Sequence, residues 1–352
     1  MKPSRSRAHF AEALRWSQEA PLGWWQAVAA GLGMAVPVAV GLAIGQPGAG
    51  FAAAVGGLMV GALPPEKDAL EQLKDLGLAL GPAAAAILAT VLIGRPGPHE
   101  EVLVVLLAAL ASLVGGFSRT MVIAAYRFVL FVLITVAVAG EVPDRAVLLV
   151  PFALGLAWTG AANLVLGALA RALRRKPRPE PEMPPAIPFA KRYAHWRRGL
   201  SHLAGWQYTL RLTACLALAF ALARVWPEHR LHWIAVTVVL LTERTLDPLP
   251  VKTTQRAIGT LVGVVIAAVL GGWGSPFALV ASILVLATAR AALRLKNYLL
   301  YTIVTTPLIL AVLDAGAPPD RGLLEDRLLA TLAAAALVLT ANAVMRRWLP
   351  RS

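Results

Sequence analysis

Trp233-Ile-Ala-Val-Thr-Val-Val-Leu-Leu-Thr-Glu-Arg-Thr-Leu-Asp-Pro-Leu-Pro-Val-Lys-Thr-Thr-Gln-Arg-Ala-Ile-Gly-Thr-Leu-Val-Gly263 decides the reading of this chain. It runs from a short apolar segment, through a polar turn broken by Pro248 and Pro250, into a helix that opens with Arg256, Gly259, Thr260 and Gly263. Charge and broken backbone beside a membrane span mark a working site. A weaker copy lies 182 residues earlier, where Phe51 corresponds to Trp233, Lys74 to Arg256, Gly77 to Gly259 and Gly81 to Gly263. Gly23-Trp24 and Gly205-Trp206 hold the same register, as do Asp144-Arg145 and Asp326-Arg327, so the halves read as repeats.

The rest of the chain agrees with a membrane setting. Of its 352 residues 58% are hydrophobic and 15% charged, with a mean hydropathy of +0.68. Soluble domains average roughly 45–50% apolar and 25% charged. A helical span takes roughly 20 apolar residues. Spans are therefore expected near 24–44, 49–64, 76–94, 101–118, 121–140 and 146–170, and again near 207–226, 231–245, 254–272, 275–291, 297–314 and 323–345. The expected fold class is all-α, a polytopic membrane protein of about twelve transmembrane helices in two six-helix parallel repeats. Small-residue runs such as Gly77-Leu-Ala-Leu-Gly-Pro-Ala-Ala-Ala-Ala favour close helix packing in lipid.

Between the repeats, Arg171 to Pro188 carries six prolines in eighteen residues, which forbids a regular helix and reads as an extended linker. The piece that follows, 189–205, mixes Arg, Lys, Trp and Tyr at helical spacing and is expected to lie along the lipid surface. The expected domain order is a basic N-terminus (1–22), a first membrane repeat (23–172), the linker with its interfacial helix (173–204), a second membrane repeat (205–346) and a tail (347–352).

The formal charge of +14 does not form a basic face on a soluble module, which excludes nucleic acid as the expected partner. It collects at span ends instead. In this map one side of the membrane receives 25 of the lysines and arginines and the other receives 6, with Arg127 and Arg211 inside spans. The positive-inside rule then places both termini and the linker in the cytoplasm. The basic start is not followed directly by an apolar run, so no removed signal peptide is expected.

Several residues are candidates for chemistry. The second spans of the two halves are both short and interrupted by Gly or Pro, the pattern that points to a transport site. Each precedes a helix whose first turns carry a cation, Lys74 or Arg256, and a helix N-terminus adds partial positive charge favourable to an anion. Anchoring at span ends is the alternative role for both. Arg127 and Arg211 need a partner, water, a ligand or a route to the headgroups, because a guanidinium at mid-membrane costs at least about 2.5–3.5 kcal/mol. Glu243 and Asp247, which flank Arg244, are proton-coupling candidates or an ordinary surface pair with Arg244 or Lys252. The repeated Asp144-Arg145 and Asp326-Arg327 are expected to cap helices and form ion pairs.

Other chemistries lack a signal. The sequence has no Gly-x-x-x-x-Gly-Lys-Ser/Thr loop, no His-Glu-x-x-His and no Cys/His cluster, so no metal or other cofactor is implied. Cys215, the single cysteine, falls in an apolar run and reads as a small core residue.

The segment quoted at the outset resembles the fusaric-acid-resistance-like (FUSC) family, related to bacterial aromatic acid exporters. Trp233 ahead of a Thr-containing apolar run, the polar turn, and Arg256-Ala-Ile-Gly259-Thr260-Leu-Val-Gly263 are similar to that family's Arg-x-x-Gly-Thr-x-x-Gly signature. The first half keeps Lys74, Gly77 and Gly81 but has no threonine between the glycines. The resemblance implies a bacterial plasma-membrane exporter of small organic acids, often aromatic carboxylates. A membrane-embedded enzyme is the weakest reading, because no clustered catalytic set faces a common depth. Proton coupling is the expected drive. Arg256, Arg127, Arg211 and Lys74 would then attract the anion, and Thr260, Thr237 and Thr242 would supply hydrogen bonds. Gly259 and Gly263 would let helices approach. A passive anion channel or a non-transporting subunit of an envelope complex remains the alternative. The partners expected are an organic anion and the lipid bilayer, with a homo-oligomer or an accessory envelope protein left open.

Overall fold

A computed structural model describes Leu14, Trp16 and residues 24–61, 69–94, 97–139, 145–173, 188–246, 250–270, 275–313 and 321–349. The described residues form helices and the turns between them, with no strand among them. Lipid offers no water to unpaired backbone groups, and a helix satisfies its own. The helices are α1 (Trp24–Ala43), α2 (Pro47–Val60), α3 (Ala69–Ile93), α4 (Pro98–Gly115), α5 (Arg119–Ala139), α6 (Arg145–Leu173) and α7 (Phe189–Leu200). They continue with α8 (Leu203–Val225), α9 (Trp233–Leu241), α10 (Val251–Leu270), α11 (Pro276–Leu293), α12 (Tyr298–Leu313) and α13 (Arg321–Trp348).

Every expected span coincides with a helix, but not every helix is long enough to cross. Among the described residues nine are long and apolar enough to span a membrane. The expected spans at 49–64, 231–245 and 297–314 instead form α2, α9 and α12, of 14, 9 and 16 residues. Gly61, at φ 64°, closes α2 in a conformation that side-chain-bearing residues rarely adopt. Thr242 turns to extended backbone and ends α9, its hydroxyl donating to the Val238 carbonyl at 2.7 Å. The interfacial helix expected over 189–205 stops at Leu200. A tight turn then leads to α8, and a Cβ on Gly205 would meet the Gly199 carbonyl oxygen at 2.0 Å. No residue of α7 is buried. Asp326 and Arg327 are both buried within the second turn of α13, so Asp326 is not the helix cap expected. Asp144 lies outside the described residues.

Contacts group the chain into two compact units, and each takes helices from both halves of the sequence. The first holds α1, α2, the start of α3, α6, α10, α11, α12 and the start of α13. Within it α1 packs on α2, α6 and α11, α2 packs on α6, and α12 packs on α10 and α11. Small residues permit these contacts: a Cβ on Gly155 of α6 would fall 1.8 Å from the Ala53 carbonyl oxygen of α2. Polar side chains tie the same helices. Asn163 donates to the Gly61 carbonyl at 3.0 Å, Gln72 donates to the Asn163 carbonyl at 3.1 Å, and Arg171 donates to Gln72 at 2.6 Å.

The second unit holds the rest of α3, then α4, α5, α7, α8, α9 and the end of α13. Here α4 packs on α5 and α8, α9 packs on α5 and α8, and α7 packs on α8. Eight of the nine α9 residues are buried, as expected of a helix apolar on every side. Ser112 of α4 donates to Thr209 of α8 at 2.8 Å, and Thr90 and Thr135 share a hydrogen bond of 2.8 Å.

Candidate functional site

In the first unit α10 carries Thr253, Arg256 and Thr260, spaced three and four residues apart and so aligned on one helix face. All three are buried, Arg256 to 7% exposure. Gly259 and Gly263 sit beside them and set the distance to α12. A Cβ on Gly259 would lie 2.7 Å from Thr302 Cβ, and one on Gly263 would lie 2.7 Å from Thr306 Cβ. The glycines thus lay α10 directly against α12, bringing Arg256 to the start of that helix.

Asn297 begins α12 by accepting a hydrogen bond from the Leu300 backbone N–H at 3.0 Å, an N-cap interaction. Tyr298 and Tyr301 follow, their rings 5.6 Å apart and nearly parallel at 24°. Cations surround this pair. Lys252 Nζ lies 5.4 Å from the centre of the Tyr298 ring. The Arg290 guanidinium, on the last turn of α11, is 5.5 Å from the Tyr301 ring, and its Nη2 is 3.4 Å from the Tyr301 hydroxyl. Arg256 and Arg294 add their charges at Tyr301 as well.

The hydrogen bonding here is incomplete. The Arg256 guanidinium and the Thr302 hydroxyl both approach the Tyr298 hydroxyl without closing a bond of good geometry. Thr253 Oγ1, Arg256 Nε, Thr260 Oγ1, Arg290 Nε and the Tyr298 hydroxyl are all buried, and none has a hydrogen-bond partner among the described residues. Nearby threonines are satisfied in the ordinary helical way: Thr302 donates to the Tyr298 carbonyl at 2.9 Å and Thr306 to the Thr302 carbonyl at 3.0 Å. An unmatched buried donor costs about 1–3 kcal/mol, more when charged. Such a set is chemically suited to an oxyanion, which offers acceptors and negative charge together. The positive N-terminus of α12 favours the same occupant.

Arg211 in the second unit shows the opposite condition. It donates from Nη1 to Asn342 Oδ1, from Nη2 to the Glu243 carbonyl at 2.7 Å and from Nε to the Gln207 carbonyl at 3.3 Å. Each of its three nitrogens is used, joining α8 to α13 and to the end of α9. Arg244, which is exposed, lies 4.6 Å over the Tyr208 ring and donates to the Ser112 carbonyl at 3.3 Å. A small pocket beside it is lined by Tyr126, Val129, Leu212 and Val239.

The other expected site residues are dispersed. Lys74 is exposed on α3, and Arg127 is half-buried on α5. Thr237 is buried in α9, Thr242 caps that helix through its own turn, and Glu243 is half-buried. Asp247 lies outside the described residues. Sequence reasoning missed Thr253, Arg290, Tyr298 and Tyr301. Arg290 passes there for an orienting loop charge, and the Tyr-Leu-Leu-Tyr spacing, which puts both rings on one helix face, was the available signal.

Residues 217–341 match the family model described as Fusaric acid resistance protein-like. The matched region takes in α9, α10, α11 and α12 and with them Arg256, Arg290 and both tyrosines. No curated protein matches the chain, and no solved structure does.

Proposed function

We propose that this chain, a multi-pass membrane protein whose residues 217–341 belong to the fusaric acid resistance protein-like family, is a transporter that moves small organic anions through the Arg256 cluster. The observation that carries the reading is Arg256 itself. The residue is 7% exposed in an apolar bundle, and its Nε, like the hydroxyls of Thr253, Thr260 and Tyr298, has no hydrogen-bond partner among the described residues. A structural arginine at such depth would be expected to use its donors within the protein, as Arg211 does. An aromatic carboxylate is the substrate proposed, in keeping with the family whose model residues 217–341 match.

The two-repeat plan supports this reading. At the 182-residue offset, the packing of α1 on α11 has its counterpart in α8 on α4, and that of α11 on α12 in α4 on α5. Twelve helices in two exchanged six-helix repeats account for this pattern, with both termini cytoplasmic and the start of α10 at the cytoplasmic mouth. The direction is then outward, across the bacterial plasma membrane, with the proton gradient as the drive.

The test is flux in liposomes carrying the purified chain. Efflux of a labelled aromatic carboxylate that rises with an imposed pH gradient is expected, and Arg256→Gln should lower it about tenfold or more. Flux indifferent to the gradient would make the protein a passive channel. No flux of any organic anion would overturn transport. Full activity in Arg256→Gln would remove the site and leave transport standing.

A further inference from the structure

We infer that the Arg256 cluster takes a doubly charged anion, with one oxyanion edge set against Arg256 and another against Arg290. This rests on the cluster being the anion site proposed above, and it specifies the charge of the occupant.

The two guanidiniums come from different helices, α10 and α11, and stand at different tyrosines. Arg256 is at the Tyr298 hydroxyl, and Arg290 is at the Tyr301 ring and hydroxyl. Each retains a buried Nε–H with no partner among the described residues. The three other unmatched atoms here are hydroxyls, of Thr253, Thr260 and Tyr298, and each can donate. The charges acting on the two tyrosine hydroxyls are those of Arg256, Arg290 and Arg294. The cluster is thus rich in donors and positive charge.

A single carboxylate can accept from one guanidinium edge in bidentate fashion. It would match Arg256 and leave the Arg290 Nε–H buried and unpaired, or the reverse. Two acidic groups, or one doubly ionised phosphate, match both. Arg290 is also on the last turn of α11, where it offsets the negative end of that helix. That electrostatic role leaves its Nε–H unused, so it does not replace a ligand.

The experiment compares phthalate, at a pH where both carboxyls are ionised, with benzoate and inorganic phosphate, by calorimetric titration of the purified full chain in nanodiscs. Phthalate should bind about tenfold tighter than benzoate or better, the worth of one further charge-assisted hydrogen bond. Arg290→Gln should cost phthalate about tenfold more affinity than it costs benzoate. Arg256→Gln should weaken both. Inorganic phosphate displacing phthalate at similar concentration would identify a phosphate-bearing substrate, and failure to displace would identify a dicarboxylate. Either satisfies the inference. Equal binding of phthalate and benzoate to the unaltered chain overturns it and leaves the anion site intact, as does an Arg290→Gln loss shared equally by both ligands. Binding of none of the three overturns the site and the inference together. If Arg290→Gln does not fold, the phthalate-to-benzoate ratio of the unaltered chain still decides.

Discussion

Arg211 and Arg256 are both arginines buried in apolar helices, one in each unit, and they differ in what their nitrogens meet. Arg211 is 2% exposed and donates from all three nitrogens, to a side chain on α13 and to two backbone carbonyls. Arg256 is 7% exposed, and its Nε has no partner among the described residues. Burial alone therefore does not separate a structural cation from a binding one. On the function proposed above, completion of the hydrogen bonds separates them. A guanidinium that ties helices together is satisfied by the fold, and one that receives a ligand must hold donors in reserve.

The largest expected effect falls on Arg211. Arg211→Met should destabilise the protein by about 3 kcal/mol or more, because the buried acceptors that it now serves lose charge-assisted bonds. Thermal unfolding in detergent should show a deeper drop in Tm than Arg256→Gln or either glycine substitution gives, with anion affinity unchanged in the protein that stays folded. A Tm equal to that of the unaltered chain would break the contrast at its structural end.

Arg256→Gln should reverse this pattern. Anion binding and flux fall about tenfold or more, and stability stays within about 1 kcal/mol of the unaltered chain because few protein bonds are lost. Calorimetric titration and thermal unfolding on one preparation read both quantities. Lost stability with retained flux would place Arg256 in the same class as Arg211.

The glycines beside these cations extend the contrast to the backbone. Gly259→Ala should cost about 1–3 kcal/mol, since its Cβ would be forced to within 2.7 Å of Thr302 Cβ and 3.0 Å of the Leu299 carbonyl oxygen. Gly77, its partner in the 182-residue register, has no described atom within 4 Å of an added Cβ. Gly77→Ala should therefore stabilise the protein by up to about 1 kcal/mol, through reduced freedom of the unfolded chain. Opposite signs in Tm would confirm that only the second copy uses its glycine for close packing.

These pairs also show what could be read from the sequence. Each helix lies within several residues of its expected span, because apolar runs and their charged flanks are local properties. The length of α9 was harder to see, since Thr242 ends it through a hydroxyl bond to its own turn. Arg256, Thr260, Gly259 and Gly263 were visible as a motif on one helix. Their surroundings were not. Whether an arginine is satisfied depends on residues far along the chain, and Asn342 is 131 positions from Arg211. In the same way Tyr298 meets Arg256, and Tyr301 meets Arg290, only because α12 packs against both α10 and α11.

Lys74 carries the smallest expected effect and makes the contrast between the two copies sharpest. It shares its register with Arg256, yet it is exposed on α3 where Arg256 is buried on α10. Leu78 stands where the second copy has Thr260, so no hydroxyl accompanies the lysine. An exposed ammonium is solvated already and gains little from an anion, and surface substitutions of this kind change free energies by about 0.5 kcal/mol or less. Lys74→Gln should accordingly leave flux within about twofold of the unaltered chain and leave Tm unchanged. Flux lost to the extent seen in Arg256→Gln would show that the first copy contributes a cation to the transport path. The asymmetry drawn from burial would then have to be replaced by a site to which both copies contribute.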